Sequence, residues 1–502
     1  MELAQLAVQP GVDLHALAPD IVLALAACVV LVADLFLPRE SKWIAMPLSA
    51  AGLLGTLAAV VSLIGERRLT LDGSFEIDTF ALVFKGLFCV IGLIVLAMSL
   101  SYFRDGRYYQ GEYYFLMLCS LLGGVVMASA RDLITLFIAI ELISIPAIIM
   151  TALRKADVKS NESALKFFLF SVLSSAVMLF GMSLVYGIAG STNLADIRAA
   201  LSGGGPSSVR LVQLLEVAPD DPIVVLAVFF VVVGFAFKIS AVPFHFWAPD
   251  TYEGAPSPVA AFLSTASKIG GFVGLLVLMF KAFPDVADNW RPAFAVLATL
   301  TMTVGNLIAL RQRHIIRLLA YSGIAQSGYV LVTLALIDPD RPGANAQALR
   351  SAIIYLAIYA VMDLGAFAAA VSFARKGGSY FISDYSGLWR RSPVLATLMA
   401  GFLLSLAGTP PMAGAWAKLF VFLATINSGV IWLAVVMGIN AVIAAWYYLA
   451  VVKRMFLDAP EVEEPIEVPY ILRAAMSVAA LALLAAFIYP PIITSLAERS
   501  IL

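Results

Sequence analysis

Five charged side chains stand inside long runs of apolar residues, where a protein chain rarely places a charge. Four are lysines, in ESALKFFLF (Lys166), GFAFKISAVPF (Lys238), STASKIGGF (Lys268) and AGAWAKLFVF (Lys418), and the fifth is Glu141 in DLITLFIAIELISIPAIIM. A lysine at the centre of a bilayer costs about 2.5–3.5 kcal/mol, so such residues are usually functional. Because burial disfavours the charged form of a lysine, these groups could take up and release protons near neutral pH. The pattern therefore predicts proton transfer through an apolar interior.

Other ionisable residues accompany these five. Asp363 is central in the apolar segment YAVMDLGAFA, and His245 follows Lys238 by two helical turns. His245 is expected either to pass a proton onward or to be a hydrogen-bonded structural histidine. Lys85 and Arg473 also lie in apolar runs, and both are expected to extend their charged ends to the membrane surface.

The composition indicates the elements that must position these residues. Of 502 residues, 62% are hydrophobic and only 13% are charged, whereas soluble domains carry about 25% charge. The chain is therefore predicted to be an all-α polytopic membrane protein. Its net charge of −1 gives no signal for nucleic-acid binding. The three cysteines, Cys28, Cys89 and Cys119, lack metal-ligand spacing, so no haem, iron–sulfur or zinc site is expected in this chain.

The hydropathy predicts about fourteen transmembrane helices, since each crossing needs about 20 apolar residues. The predicted spans cover 19–37, 43–64, 80–101, 113–130, 132–153, 163–189, 222–248, 257–282, 290–310, 314–336, 349–374, 393–424, 429–452 and 468–492. The long segment 190–221 is predicted to be only a connection. Loops after odd-numbered spans hold 16 Lys and Arg residues, and the remaining loops with the C-terminus hold 10. This bias predicts cytoplasmic odd loops and both termini on the outer, periplasmic side.

Prolines interrupt two of the predicted spans beside a lysine. Pro243 follows Lys238 in the seventh span, and Pro410 and Pro411 precede Lys418 in the twelfth. Proline removes a backbone donor, and unwound backbone survives in a membrane only where protein buries it or it lines a wet cavity. Discontinuous seventh and twelfth helices in corresponding positions indicate an inverted repeat.

The repeat hypothesis divides the chain into four parts. Spans 4–8 and 9–13 form two five-helix units, and the odd number of spans makes the second unit inverted. The predicted domains are three N-terminal helices (1–112), a first half-channel repeat (113–283), a second inverted one (284–457) and a C-terminal helix (458–502).

The segment FKISAVPFHFWAPDTYEGAPSPVAAFLSTASK is similar to the proton-conducting membrane subunits of respiratory complex I and their antiporter relatives. Four further segments resemble the subunit N group of that family, which includes mitochondrial ND-two and its plastid NDH counterpart: ELISIPAIIM, RKADVKSNESALKFFLF, IALRQRHIIRLLAYSGIAQSGYV and LAGTPPMAGAWAKLFVF. The resemblance runs from about residue 78 to 454. Asp363 departs from it, because the family usually has asparagine before LGAF.

The resemblance implies a function and a role for each residue. Electrons would pass from NADH to quinone through FMN and iron–sulfur clusters in other subunits, and this chain, without a cofactor of its own, would translocate protons. Glu141 and Lys238 would be the coupling pair of the first half-channel, Lys268 the central relay, Lys418 the lysine of the second half-channel and Lys166 a modulator near the input.

The resemblance also implies a setting. The partners would be other complex I membrane-arm subunits, an antiporter-like neighbour and small membrane subunits, in the lipid bilayer of a bacterial inner membrane. A subunit of a multisubunit Na⁺/H⁺ antiporter, or of a membrane-bound energy-conserving hydrogenase, is the alternative. The block 141–170 favours complex I. A purely structural scaffold is disfavoured by the five buried charges.

Overall fold

A computed structural model describes residues 11–104, 110–202, 221–377, 379–460, 462 and 464–500. In this part of the chain twelve helices are long and apolar enough to cross a membrane, and three shorter apolar helices accompany them. The shorter helix Pro222–Lys238 belongs to the seventh predicted span, while Pro393–Ala407 and Gly414–Asn427 are the two halves of the twelfth. The prediction of a polytopic all-α membrane protein with two discontinuous helices is confirmed.

The N-terminal part contains three long helices, α1 (Ala18–Phe36), α2 (Ala45–Ser62) and α3 (Thr79–Arg104). A two-stranded antiparallel hairpin, β1 (Arg68–Thr70) and β2 (Phe75–Ile77), lies between α2 and α3. Leu71, Asp72 and Gly73 turn the chain between the strands with positive φ angles. The hairpin is too short and too mixed in composition to be predicted from hydropathy.

The first repeat begins with α4 (Gln110–Ser129), α5 (Leu133–Thr151) and α6 (Val158–Ala189). It continues with the short helix α7 (Leu194–Leu201) and the broken helix α8 (Pro222–Lys238) and α9 (Trp247–Gly254). Its last helix is α10 (Ser257–Lys281), which contains a π-helical turn at Leu263–Ser267. The segment 190–221 was predicted to be a plain connection, which α7 shows to be wrong in part. Residues 203–220 of that segment lie outside the described residues.

The second repeat contains α11 (Ala287–Ala309), α12 (Ile315–Leu334) and α13 (Pro342–Gly377), followed by the short helix α14 (Leu388–Arg391). Its broken helix consists of α15 (Pro393–Ala407) and α16 (Gly414–Asn427), and α17 (Ile431–Leu457) closes it. Two helices then end the described chain, α18 (Tyr470–Ile488) and α19 (Pro491–Arg499).

The helices of the two repeats pack in the same order. In the first, α4 packs on α5 and on α10, and α6 packs against both halves of the broken helix; in the second, α11 packs on α12 and on α17, and α13 packs against both halves. In each repeat the tight turn before the second helix pairs with the segment after the third. These bridges join Leu133 N to Thr192 O (2.9 Å) and Leu194 N to Arg131 O (3.0 Å), and Ile315 N to Tyr380 O and Ile382 N to Arg313 O (both 2.8 Å).

Both breaks place backbone in conformations that a regular helix cannot contain. After α8, Ser240 has a φ of 58°, and a cis bond precedes Pro243. After α15, Gly408 has a φ of 82°, and a cis bond joins Pro410 to Pro411. A left-handed glycine is a common helix end because glycine has no Cβ penalty there. The breaks span residues 239–246 and 408–413.

Burial separates a central helix from peripheral ones. The most apolar part of α10 is 100% buried, whereas the corresponding parts of α1, α2 and α18 are only 28% buried. The exposed apolar surface of these outer helices suits contact with lipid or with other membrane helices. The interior is formed where α10 of the first repeat packs against α13 of the second.

Candidate functional site

Lys238 is the last residue of α8, so its side chain leaves the helix at the start of the break. It is 2% exposed, its Nζ donates to Ser144 Oγ at 2.8 Å, and the ring of Phe167 lies 5.7 Å away. A Cβ atom on Gly271 would lie 3.0 Å from Lys238 Cγ, so this glycine lets α10 pass close to the lysine. A helix C-terminus favours a nearby cation, which partly offsets the cost of burying the ammonium.

Glu141 lies on α5, one turn before Ser144. Its carboxylate is partly exposed and accepts a hydrogen bond from the hydroxyl of Ser175 on α6. The charge of Glu141 acts on Lys238, but the hydroxyl of Ser144 accepts the hydrogen bond from the ammonium. The structure therefore places Glu141 within electrostatic range of Lys238, while the ammonium itself contacts the hydroxyl of Ser144.

Lys268 lies directly after the π-helical turn of α10 and is 1% exposed. Among the described residues its Nζ has no hydrogen-bond partner, and the ring of Tyr252 lies 5.8 Å from it. A Cβ atom on Gly323 of α12 would lie 2.8 Å from this Nζ. The glycine therefore leaves the space that the ammonium occupies between the two repeats.

Asp363 lies on α13 beside this lysine. It is fully buried, and neither carboxylate oxygen has a hydrogen-bond partner in the described part of the chain. Its charge and that of Lys268 act on each other. The sequence analysis singled out Asp363 as an ionisable residue in an apolar segment but assigned it no definite role.

Lys418 lies on α16, just beyond the second break. Its Nζ donates to the carbonyl oxygen of Ala407, the last residue of α15, at 2.7 Å. The ring of Tyr329 lies 4.9 Å from the same Nζ. A Cβ atom on Gly408 would lie 2.5 Å from Lys418 Cδ, so only glycine fits beside the lysine chain. The break thus supplies a backbone acceptor that a continuous helix would have used internally.

Hydrogen-bonding side chains on α12 lie between Gly323, which is beside Lys268, and Tyr329, which is beside Lys418. Gln326 donates to Leu406 O at 2.9 Å and to the hydroxyl of Tyr448 at 3.4 Å, and it accepts from the hydroxyl of Tyr355. Tyr329, three residues further on the same helix, faces Lys418 and stacks on Tyr355. The sequence analysis missed this line, although the polar residues of SGIAQSGY recur at helical spacing.

His245 lies within the first break. It is partly buried, and its Nδ1 has no hydrogen-bond partner among the described residues. Its ring packs edge-on against Phe246. A further partly buried histidine, His314, precedes α12, and its ring lies 5.5 Å from that of Tyr380.

A polar cavity of about 190 Å³ lies beside His314. Its lining includes Glu253, Tyr252 and Tyr380, and the hydroxyl of Tyr380 lies 2.5 Å from Ser257 Oγ. Because the ring of Tyr252 also faces the ammonium of Lys268, the cavity ends close to the central lysine.

Two lysines differ from their predicted positions. Lys166 was predicted to be buried in the membrane interior, but its side chain is 41% exposed and pairs with Glu162 at 2.7 Å and Asp250 at 3.1 Å. Lys85 was predicted to extend to the membrane surface, but it is fully buried and pairs with Asp20 at 2.5 Å. Both predictions fail for the same reason, because Asp250 and Asp20 lie on helices that sequence spacing does not relate to the lysines. Arg473 is exposed, as predicted.

An ion network lies outside the membrane-spanning helices, at the β-hairpin. Arg131 contacts Glu76 at 2.7 Å and Asp78 at 2.9 Å, and Lys281 lies 3.5 Å from Glu76. Although burial raises the pKa of the Glu76 carboxyl, the charges of Arg131 and Lys281 lower it to about 2. The network joins the hairpin to the turn between α4 and α5 and to the end of α10.

The site as a whole is suited to moving protons. It contains three lysines at helix breaks or at the repeat interface, two carboxylates and a line of hydroxyl and amide groups. Among the described residues no group of three or more His, Cys, Asp or Glu side chains could hold a metal ion.

Comparison with known proteins places this arrangement in a family. The family described as NADH:quinone oxidoreductase/Mrp antiporter, TM matches residues 130–444. The NADH-quinone oxidoreductase subunit N of Moorella thermoacetica is 40% identical over 97% of this chain and 98% of its own length. The NADH-quinone oxidoreductase subunit N 2 of Streptomyces griseus is 42% identical over 90% of this chain and 84% of its own.

Solved structures agree with this similarity. A chain of respiratory complex I from Thermus thermophilus superposes with a TM-score of 0.77 at 28% identity, over 96% of this chain and 99% of that one. A chain of the Mrp complex from Dietzia has a TM-score of 0.83 at 20% identity over 97% of both chains, which shows a shared fold. The chain therefore belongs to the NADH:quinone oxidoreductase/Mrp antiporter transmembrane family.

Proposed function

We propose that this chain is a proton-translocating membrane-arm subunit of NADH:quinone oxidoreductase. Electron transfer from NADH to quinone, with FMN and iron–sulfur clusters, takes place in other subunits of that complex. The partners are an antiporter-like neighbour and small membrane subunits in a bacterial inner membrane, with both termini on the periplasmic side. Two relatives support this assignment, since they are NADH-quinone oxidoreductase subunits matched along 98% and 84% of their own length.

One observation carries the proposal. Lys238 and Lys268 are buried and Lys418 is partly buried, the three lie on three different helices, and two of them sit where a helix is broken. A structural ion pair needs a carboxylate in contact, but the nearest polar contacts of Lys238 and Lys418 are a hydroxyl and a backbone carbonyl. Ammonium groups held by neutral acceptors can lose a proton without leaving an uncompensated carboxylate behind.

The arrangement suggests a sequence of proton positions. The four-part division supports a first half-channel in residues 113–283 around Glu141 and Lys238, and a second in residues 284–457 around Lys418. While Glu141 is ionised, its charge favours a protonated Lys238. When that charge is neutralised or withdrawn, the proton is favoured to move on to Lys268 and then along the α12 hydrogen bonds to Lys418.

The energies involved are compatible. Moving one charge against 100 mV needs about 2.3 kcal/mol. Two unit charges about 8 Å apart at an effective dielectric constant of about 20 interact with about 2 kcal/mol. Switching the charge of one carboxylate therefore changes the free energy of a lysine proton by the amount that the membrane potential requires.

The test uses the intact complex in membrane vesicles. Lys238→Met and Lys268→Met should assemble, because methionine matches the aliphatic volume, but the number of protons moved per quinone reduced should fall strongly. The matched control is the double variant Asp20→Asn/Lys85→Met, which removes a buried lysine and its carboxylate outside both repeats and should pump normally. Wild-type proton yield in both lysine variants would exclude this role.

The same preparation tests the alternative function. A subunit of a Na⁺/H⁺ antiporter is the second candidate, because the description of the matching family also names the Mrp antiporter. Purification of the tagged chain should recover flavin and iron–sulfur absorbance with NADH-driven quinone reduction. Recovery of neither, with sodium-dependent proton exchange instead, would support the antiporter.

A further inference from the structure

Asp363 is an unpaired carboxylate in the most deeply buried part of the molecule. It lies on α13, at 0% exposure, and neither oxygen makes a hydrogen bond of normal geometry among the described residues, although the hydroxyls of Ser264 and Tyr359 lie close enough to act on it. An ionised carboxylate without partners is very costly to bury, so such a group either binds a proton or interacts with a nearby cation. The nearby cation is Lys268, whose Nζ is equally without a hydrogen-bond partner in the described chain.

A hydrogen-bonded contact between α10 and α13 lies one helical turn from both residues. The hydroxyl of Tyr359 donates to Ser264 O at 3.0 Å and lies 3.2 Å from Ser264 Oγ. Lys268 lies four residues after Ser264 on α10, and Asp363 lies four residues after Tyr359 on α13. Residues four apart share one helix face. The lysine and the aspartate therefore border the same contact between the two repeats.

The repeat explains why a carboxylate stands at this position. Glu141 and Gly323 both follow the bridging arginine of their repeat, Arg131 or Arg313, by ten residues. At Gly323 a Cβ atom would lie 2.8 Å from Lys268 Nζ and 2.9 Å from the hydroxyl of Tyr359. An acidic side chain there would have to displace the ammonium of Lys268 and the hydroxyl of Tyr359, so the second repeat does not place its carboxylate where the first repeat does.

The hydrogen-bond partner of Glu141, Ser175, occupies the position in the first repeat that corresponds to Asp363 in the second. Ser175, which donates to Glu141, precedes the bridging residue Thr192 by 17 residues, and Asp363 precedes the bridging residue Tyr380 by the same number. In the second repeat the carboxylate has thus moved from the helix of Glu141 to the helix of Ser175. It remains in the same groove between the second and third helices of the repeat and now faces Lys268.

We propose that Asp363 is a further proton-carrying residue and that Asp363 and Lys268 act as a two-site relay between the half-channels. This inference rests on the proposed function. In the resting state Asp363 is ionised and Lys268 is protonated, so the pair has no net charge. An arriving proton forms an O–H bond at Asp363 while its bond to the donor breaks. The N–H bond at Lys268 then breaks as its proton bonds to the hydrogen-bonding groups of α12 that lead to Lys418. The proton of Asp363 passes to the lysine, which restores the neutral pair.

The relay has an energetic advantage over a lone lysine. A lone buried ammonium carries a full charge through the apolar interior, whereas the resting pair is neutral overall. Each transfer changes the net charge by one and returns it to zero, so the interior is charged only while a proton is in transit. A carboxylate that only stabilised the protein would keep its protonation state during turnover.

The experiment compares Asp363→Asn with Lys268→Met in the intact complex in vesicles. We expect Asp363→Asn to assemble, because asparagine has nearly the same shape, and to lose roughly tenfold in proton-coupled quinone reduction. The loss of a proton-transfer group typically lowers a rate by about 10²–10⁴-fold. We expect a smaller loss here because Lys268 remains. The control is Asp20→Asn/Lys85→Met, which also removes a buried carboxylate but should keep the wild-type proton yield.

Infrared difference spectra between oxidised and NADH-reduced complex provide a readout that a structural role would not change. The carbonyl stretch of a protonated carboxyl group should change in the wild type, shift in Asp363→Glu and be absent in Asp363→Asn. If the asparagine variant does not assemble, the shift in Asp363→Glu decides, and an unchanged band overturns the inference.

The outcomes separate the two levels of the proposal. If Lys268→Met stops pumping while Asp363→Asn pumps like the wild type, the relay is wrong and the proposed function stands. If both variants pump like the wild type, the proposed function fails as well. Loss of pumping in both, with the infrared band removed in Asp363→Asn, supports the relay.

Discussion

The two broken helices are built alike but hold their lysines differently. In the first repeat Lys238 donates to the hydroxyl of Ser144, and the charge of Glu141 acts on it from the neighbouring turn. In the second repeat Lys418 donates to the carbonyl of Ala407 and faces the ring of Tyr329. A carboxylate can change its charge, whereas a backbone carbonyl and an aromatic ring cannot. The comparison indicates that the proton affinity of Lys238, at the first break, depends on a carboxylate whose charge can change. Lys418, at the second break, is a proton-binding residue whose neighbours keep a constant charge.

The largest expected effect comes from replacing a proton-binding lysine with a cation that cannot release its proton. Lys418→Arg keeps the charge and a donor for Ala407, but arginine stays protonated in proteins. We expect proton pumping to fall by about 10²-fold or more, as for other lost proton-transfer groups. The measurement is the proton yield per quinone reduced in vesicles. Normal pumping by this variant would show that Lys418 is a structural counter-charge and that it does not bind and release the transported proton.

The next effect tests the path between the proton-binding lysines. Gln326→Met removes the amide that bonds to Tyr355, Tyr448 and Leu406 O while keeping a similar volume. Pumping should fall by roughly tenfold, because protons then lose a hydrogen-bonding group that lies between Lys268 and Lys418. Ser372→Ala on α13 is the control, since within the described part of the chain that buried hydroxyl bonds only to Ala368 O of its own helix. Equal proton yields in the two variants would show that the α12 line carries no protons.

A smaller effect on stability tests the shape of the second break. Gly408→Ala adds strain at a φ of 82° and places a Cβ atom 2.5 Å from Lys418 Cδ. Gly429→Ala is a matched control, because its φ is 80° but nothing lies within 4 Å of the new atom. Left-handed strain alone costs about 1–3 kcal/mol, so Gly429→Ala should lower thermal stability slightly and leave pumping intact. Gly408→Ala should also impair pumping. Equal pumping and equal stability in the two variants would contradict the claim that Gly408 makes room for the side chain of Lys418.

The smallest effect on pumping concerns the hairpin network. Because the pKa of Glu76 is lowered from 4.5 to about 2, its ionised form stabilises the folded state above about pH 4.5. That stability, about 3 kcal/mol, should be lost as the pH falls toward 2. Glu76→Gln should therefore remove this part of the acid dependence of unfolding and lower stability at neutral pH. An unchanged pH profile of unfolding in the variant would show that the network contributes nothing.

Much of the fold could be predicted from the sequence because apolar length and proline position are local signals. The spans follow from runs of apolar residues, and the breaks follow from Pro243 and from Pro410 and Pro411. The partner of a buried charge is not a local signal. Lys85 and Asp20 are 65 residues apart, and Lys166 meets Asp250 only because α6 packs on α9.

The site could be predicted only in part, because the lysines are local signals in the sequence and their partners are not. The lysines stand out individually, since each interrupts an apolar run. The hydroxyl of Ser144 beside Lys238, the carbonyl of Ala407 beside Lys418 and the groove shared by Asp363 and Lys268 arise only when helices from distant segments pack together. The α7 helix and the β-hairpin are too short to produce a periodic pattern.

The coupling of Glu141 to Lys238 is the central claim, and a double-mutant cycle tests it most directly. Glu141→Gln, Lys238→Met and the double variant are compared for membrane-potential generation during NADH-driven quinone reduction in vesicles, with Glu141→Asp as the variant that keeps a carboxylate. We predict that each single change removes most of the pumping, that the double variant is little worse than either, and that Glu141→Asp retains part of the activity. Additive losses, or a Glu141→Gln variant that pumps like the wild type, would contradict it.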